Sequence, residues 1–340
     1  MGHRVDVVIP CHNRCDLTEI TIRNVLLAEE IDLTVYAVDD GSSDKTLDLL
    51  NSFDDPRLHV HRFEKPRGAC AARNYGFNQG EAPFVCFLDS DDLLHPQKLS
   101  RQANLLQQQP ERDFAVCQMG HFTENPNDCE LLWNTFGGAD PKTRFLMHDA
   151  VWGMHAPLWR RTALAQVAAS RTKPMVLDET LPLAQDYELH TRALCLGLNP
   201  VLTSELLCFC RRHSGPSIGG EKSVKRYETL MQVFQSLSPL CSDAKGAMIG
   251  NYWWIAMLAA VQGQTKTMRH ALSLADGPPF SFKSLCELAC LSRRHRFYAL
   301  ARAESLNHGH DPDIRDAWYL KHRVEDEPGL KKFAMPPGSF

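Results

Sequence analysis

A chain of 340 residues buries a sizeable core yet is long for one domain, so its composition, 44% hydrophobic and 23% charged, points to one large globular domain with an appendage. The formal net charge of -4 argues against a nucleic-acid surface, and the 12 cysteines include no C-x-x-C pair, which excludes a zinc ribbon and reads as mostly buried, reduced thiols. The N-terminus enters an apolar strand without the features of a leader peptide, and the most apolar later run, Ile249 to Val261, is broken by Asn251 and shorter than the about 20 residues that span a bilayer. Both observations fit a cytoplasmic protein.

Val5 to Ile9 is a buried strand closed by Pro10. Asp16 with Glu19 is a helix-start pattern, and Leu17, Ile20, Val25 and Leu26 supply the apolar face of that helix. Leu33 to Val38 is a second strand, ending in Asp39, Asp40, Gly41, Ser42, Ser43 and Asp44, and Thr46 to Phe53 reads as the next helix. Arg57 to Phe63 alternates as a strand, the loop Glu64 to Gly68 follows, and Ala69 to Gln79 is helical in composition. Phe84 to Leu88 is a continuously apolar strand that stops at Asp89, Ser90, Asp91 and Asp92. Strands alternating with helices predict a doubly wound, mostly parallel α/β sheet.

Pro96 to Gln109 then reads as a helix and Phe114 to Met119 as a strand. Gly120 to Asp140 has no clear period and carries Trp133 and Phe136, so an irregular excursion is expected. Trp152 to Trp159 reads as extended, Arg161 to Ala169 and Asp186 to Leu196 as helices, and Val201 to Cys210 as a strand running into Arg211, Arg212 and His213. Beyond Gly219 and Gly220 the spacing is helical, which divides the chain into a domain over 1–218, with halves of about 1–110 and 111–218, a C-terminal α-helical appendage over 221–327, and a poorly ordered tail over 328–340. Lys266, Arg269, His270, Arg293, Arg294, His295, Arg296 and Arg302 make the appendage locally basic, which suits either a solvated helix face or peripheral contact with an anionic membrane.

In sheets of this kind ligands lie beyond the carboxyl ends of the strands, so Cys11 to Arg14, Asp39 to Asp44, Glu64 to Arg73 and Asp89 to Asp92 are expected to share one edge. On an extended segment Asp89 and Asp91 project to the same side, and adjacent carboxylates repel unless a cation joins them. An oxygen-preferring Mg2+ or Mn2+ resolves that repulsion; the alternative is that Asp91 or Asp92 caps the helix that follows.

The runs VVIPCHNR at 7–14, VDDGSSD at 38–44, RGACAARNYG at 67–76, FLDSDD at 87–92, QDYELHTR at 185–192 and RRHSGPS at 211–217, in this order, resemble the motifs of the family-2 glycosyltransferases, which have the GT-A fold. The likeness spans about residues 4–217. It implies a nucleotide-sugar donor, most simply a UDP-sugar, a divalent metal, Mn2+ or Mg2+, inversion at the anomeric carbon, and a glycan or lipid-linked glycan acceptor. On that pattern Asp39 accepts from the uracil imide, Pro10, Cys11 and Asn13 wall the base, and Arg73 meets the nucleotide or its diphosphate. The resemblance gives Asp91 to the metal, Asp89 to the ribose or metal, and Asp92 a supporting place, and lets His213 complete the metal site or stand as an ordinary surface histidine.

Asp186 matches the acid that deprotonates the acceptor hydroxyl, a role that competes with helix capping. Gln185 stands where the family usually has Glu, which bears on the acceptor side. Trp152 and His155 are further acceptor-side candidates, although large aromatics more often serve the core. A non-catalytic nucleotide-sugar-binding or scaffold protein of the same fold is the alternative, hinted at by Gln185 and opposed by the intact Asp39, Asp89, Asp91 and Asp186.

Overall fold

The computed structural model describes residues 2–133, 141–146, 152–212, 224–241, 251–252, 255–256, 259, 264–275, 331–332 and 335. Its strands are β1 (His3–Cys11), β2 (Ile31–Asp39), β3 (Leu58–Arg62), β4 (Phe84–Phe87), β5 (Leu93–Leu94), β6 (Phe114–Phe122), β7 (Glu130–Trp133), β8 (Pro157–Arg160), β9 (Pro200–Arg211) and β10 (Lys331–Lys332). The helices between them are α1 (Cys15–Val25), α2 (Thr46–Ser52), α3 (Ala69–Gln79), α4 (Lys98–Gln108), α5 (Pro141–Leu146), α6 (Arg161–Ala169), α7 (Gln185–Cys195), α8 (Val224–Leu237) and α9 (Thr265–Leu274).

One sheet runs in the order β10-β9-β6-β8-β4-β1-β2-β3, with β5 added to β9 and β7 to β6. The strand β1 lies parallel to β2 on one side and to β4 on the other, so the direction of winding reverses beside it, and its carboxyl end is where sheets of this kind take ligands. Val5, Val7, Val8 and Ile9 are all fully buried, as a strand covered on both faces requires. The helix α3 lies so near that a Cβ on Gly76 would stand 2.4 Å from Val8 Cγ1. Beyond β4 the sheet becomes mixed, because β8 is antiparallel to both β4 and β6.

The two halves are joined at the base of that sheet by a buried ion pair. Asp6 on β1 accepts from the Ala82 N–H at 2.8 Å and from Arg161 Nη2 at 2.6 Å, while Arg161 at the start of α6 also donates to the carbonyls of Ala82 and Phe77. A carboxylate so deep in a strand is tolerable only with these partners.

Several expectations need correcting. The irregular stretch after Met119 contains the continuation of β6 to Phe122 and the added strand β7, and Phe136 lies outside the described residues. Only the last part of Trp152 to Trp159 is extended, since the Ala156 N–H turns back to the Gly153 carbonyl at 3.3 Å. The expectation for the tail over 328–340 is not among these: of its residues only 331, 332 and 335 are described, Lys331 and Lys332 pairing with Glu205 and Leu206 and the Met335 N–H donating to Asn127 Oδ1 at 2.9 Å. Eight described cysteines are free and six of those are buried, but Cys195 and Cys241 form a disulfide. That bond fastens the segment after α8 to the end of α7, and Phe234 of α8 meets Tyr187 edge-on, so the helical region is continuous with the main core where it is described. Lys266, Arg269 and His270 are exposed on α9, and no described helix is long and apolar enough to cross a membrane.

Replacing Asp6 by Ala strands the Arg161 guanidinium and the Ala82 amide. Asp6→Ala is expected to lower the unfolding free energy by about 3 kcal/mol, read from urea denaturation, and a loss below about 1 kcal/mol would count against the lock.

Candidate active site

Four loops meet beyond the carboxyl ends of β1, β2, β3 and β4 and brace one another. Asn13 adopts a left-handed conformation, with φ of 51°, which turns its side chain onto the neighbouring loop. Its Oδ1 accepts from the Ser43 N–H at 2.8 Å, and its own N–H donates to Ser42 Oγ at 3.0 Å. Asp40 holds the third loop, accepting from the N–H groups of Arg67 at 2.6 Å and Gly68 at 2.8 Å. Gly41 makes that approach possible, since a Cβ there would stand 2.9 Å from Pro66 N.

The acidic segment is a turn and not an extension of β4. That strand ends at Phe87, and the Asp92 N–H donates to the Asp89 carbonyl at 3.2 Å, so strand alternation does not govern Asp89 to Asp92. No helix starts directly after it either, because β5 intervenes before α4. The turn is held from two sides: Thr21 Oγ1 of α1 donates to the Asp92 carbonyl at 3.0 Å, and the Arg211 N–H at the end of β9 donates to Asp92 Oδ1 at 2.9 Å.

Charge within the turn is divided. Asp89 pairs with Arg73 and Asp91 with Arg14. Burial pushes the Asp89 carboxyl up, but the charge and hydrogen bond of Arg73, together with His155 and Arg14, bring it below its ordinary value. Asp92 is 3% exposed, and burial together with the charge of Asp89 pushes it up to about 8. His155 Nδ1 lies 3.2 Å from Asp92 Oδ2, and burial pushes this imidazole down to about 4. At neutral pH the pair is therefore an uncharged carboxyl donating to an uncharged imidazole.

Arg73 extends from α3 into the space between the two halves. One Nη reaches Asp89 and the other donates to Gln185 Oε1 at 3.1 Å, while Nε has no hydrogen-bond partner among the described residues. Asn74 beside it exchanges hydrogen bonds with Leu177, its Nδ2 donating to the carbonyl at 2.8 Å and its Oδ1 accepting from the N–H at 2.9 Å. Asp186 is half-buried in the first turn of α7, where Oδ1 accepts from the Tyr187 N–H at 2.8 Å. Ala184, in a left-handed conformation with φ of 57°, turns the chain into that helix, so the capping position belongs to Ala184 and not to Asp186. Burial raises the Asp186 carboxyl, and the charge of Asp89 adds to this against the Tyr187 N–H and the charge of Arg73. Behind it, buried Glu188 takes Arg171 and Arg192, which fixes the helix.

The structure thus brings together Asn13, Arg73, Asp89, Asp91, Gln185 and Asp186, with Pro10 half-buried and Cys11 buried at the end of β1. Asp39 is more enclosed than the uracil reading asks: its carboxylate is fully covered, accepts from the Ser42 N–H at 3.3 Å and lies 3.8 Å from Arg62 Nε. Trp152 and His155 are each 2% exposed and offer no face to an acceptor; Trp152 sits against Phe145, and His155 backs Asp92. His213 lies outside the described residues. Arg14, Arg62 and Arg211 escaped the sequence reading as individuals, although each lies within or beside a strand-end polar run.

Among the described residues, no group of three or more His, Cys, Asp or Glu could hold a metal by itself. The donor set nevertheless fits a hard divalent cation: Asp89 and Asp91 offer carboxylate oxygens, and such ions are commonly held by one or two carboxylates plus substrate phosphates. The unpartnered Arg73 Nε–H is a further group suited to an anion.

Residues 6–158 match the family model described as Glycosyl transferase family 2. The chain is 30% identical over 210 residues to the succinoglycan biosynthesis protein ExoU of Rhizobium meliloti (strain 1021), covering 57% of each chain. It is 36% identical over 104 residues to the putative teichuronic acid biosynthesis glycosyltransferase TuaG of Bacillus subtilis (strain 168), covering 30% of this chain and 41% of that one. The matched stretches span about half the length of these curated relatives. In three dimensions, S. aureus TarS 1-349 in complex with UDP-GlcNAc superposes with a TM-score of 0.65 at 15% identity, covering 98% of this chain and 97% of that one. The shared fold is the GT-A arrangement of a mixed sheet between helices.

The opposed shifts of Asp92 and His155 have a measurable consequence. Asp92 holds its proton more tightly folded than unfolded, so it lowers stability as pH rises toward about 8; His155 acts oppositely, but only below the ordinary imidazole value of 6.5. Between 6.5 and about 8 Asp92 acts without the opposing effect of His155. Unfolding free energy is expected to decline there, and Asp92→Asn to flatten that decline, as denaturant midpoints at a series of pH values would show; an equal slope in both proteins would refute the neutral Asp92.

Proposed function

Since the chain belongs to the family-2 glycosyltransferases through residues 6–158, we propose that it is an inverting, metal-dependent enzyme that moves a sugar from a nucleotide donor to an acceptor hydroxyl. The observation that carries this reading is the position of Arg73, which holds Asp89 on the donor side and Gln185, the neighbour of Asp186, on the other. Two acids with opposite tasks are thereby set on either side of one guanidinium.

In this reading Asp186 takes the proton of the acceptor hydroxyl as its oxygen attacks the anomeric carbon. The bond to the diphosphate breaks on the far face, its electron pair leaves with the nucleoside diphosphate, and the anomeric configuration inverts. An upward-shifted carboxyl suits that task, since its basicity is nearer the operating pH. Arg73 and Arg14 face the charge that develops on the leaving group once the donor arrives. Asp89 and Asp91 would hold Mg2+ or Mn2+, which supplies charge neutralisation at the diphosphate when bound.

A UDP-sugar is the preferred donor, supported by the UDP-GlcNAc complex of the structural neighbour. A growing surface polysaccharide or a lipid-linked glycan is the preferred acceptor, supported by relatives named for succinoglycan and teichuronic acid biosynthesis. Gln185 then shapes the acceptor side, with Pro10, Cys11, Asn13 and Asp39 at the nucleotide end.

UDP release and product formation over a panel of UDP-sugars with Mn2+ or Mg2+ test the reading. Asp186→Asn is expected to lower turnover by about 10²- to 10⁴-fold with UDP affinity retained. Asp91→Ala is expected to weaken metal-dependent donor binding, and full transfer by Asp186→Asn would remove the base assignment.

A further inference from the structure

Gln185 stands where the family resemblance implies Glu, and its surroundings ask for an amide. Its Oε1 accepts from Arg73 Nη1 at 3.1 Å, and its Nε2 donates to the Leu181 carbonyl at 3.1 Å. A carboxylate satisfies the first contact and opposes the second, since it has no proton to offer a carbonyl oxygen. The segment between Leu177 and Gln185 is therefore fastened to α3 at both ends, by Asn74 at Leu177 and by Arg73 at Gln185, and it is braced within itself by Gln185 and Leu181. Asp186 follows directly, at the left-handed turn of Ala184.

Resting on the glycosyl transfer proposed above, we propose that Gln185 is a positioning residue: its amide ties Arg73 to the Leu181 carbonyl and so sets the place of Asp186 relative to Asp89 without adding a negative charge beside it. The charged groups that act on Asp186 are then Asp89 from the end of β4 and Arg73 from α3, with the Tyr187 N–H of its own helix. A glutamate at 185 would divide the guanidinium between two carboxylates, release Leu181, and place a like charge next to the base. Gln185 is thus a neutral link where the family resemblance implies an acid.

Two variants of the full chain separate these effects. In hydrogen exchange, which needs no substrate, Gln185→Glu and Gln185→Met are both expected to speed exchange across 178–186 while α3 stays protected. With the UDP-sugar found by the panel, both are expected to lose about ten- to a hundredfold in kcat with little change in donor KM, the scale of a misplaced catalytic group. Only Gln185→Glu is expected to move the acidic limb of the pH profile upward, by about one unit, as a new like charge beside the base requires. Parental exchange and parental kcat in either variant would overturn the tie, as would a kcat loss matched by an equal loss of UDP affinity. If Gln185→Glu does not fold, Gln185→Met alone decides on the same readouts. A parent chain that transfers no sugar would overturn the function, and the exchange measurement would then decide the tie by itself.

Discussion

Burial of one guanidinium constrains the rest of the site. The Arg73 side chain is 6% exposed, and a charge so covered needs a carboxylate and further hydrogen-bonding partners close at hand. Asp89 and Gln185 meet that need from opposite directions, one at the end of β4 and the other at the start of α7. The cost of leaving the cation unpaired therefore acts as a force that draws the two halves of the domain together. Asn74 adds a neutral pair of bonds to Leu177 on the same helix, so the junction does not depend on charge alone.

The remaining charges follow from that arrangement. With Asp89 anionic against Arg73, a second charged carboxylate three residues away and out of water is costly, and Asp92 keeps its proton against His155. Asp91 is less covered and takes Arg14. Two guanidinium groups thus face two carboxylates, Arg73 with Asp89 and Arg14 with Asp91. In the proposed reaction, an incoming diphosphate with its divalent ion would meet charges of both signs in these four side chains. In that proposed reaction the arrangement would serve electrostatic stabilisation of the leaving group.

How much of this was legible in the sequence varies with distance along the chain. Strands such as Val5 to Ile9 and Phe84 to Leu88 announce themselves by continuous apolar runs, and the acids after them are placed at the correct edge by the parallel topology. The partners were not legible. Arg14 and Asp91 are 77 residues apart and Arg73 and Gln185 are 112 apart, and no local pattern encodes such a pairing. The turn at Asp89 to Asp92 was misread as extended because strand periodicity was carried one step past the point where Phe87 ends the ladder. Trp152 shows the other limit: an aromatic ring suits a sugar or a core equally, and only its contacts with Phe145 and Phe114 decide for the core.

The two ends of the crevice differ in stiffness. At the chemical end, Arg73, Asn74, Glu188 and their partners are largely buried, and displacing any of them leaves an unpaired polar group in a dry place. At the nucleotide end the backbone is equally firm, with Asp40 clamping Arg67 and Gly68, but Asp39 is paired with Arg62, which is 44% exposed. Swinging an exposed arginine away costs little, because water replaces what it loses. Arg62 also donates to the Ser42 carbonyl at 3.3 Å, so the loop that frames Asp39 shares in any displacement of it, whereas the acidic turn is held by Thr21 and by the Arg211 N–H.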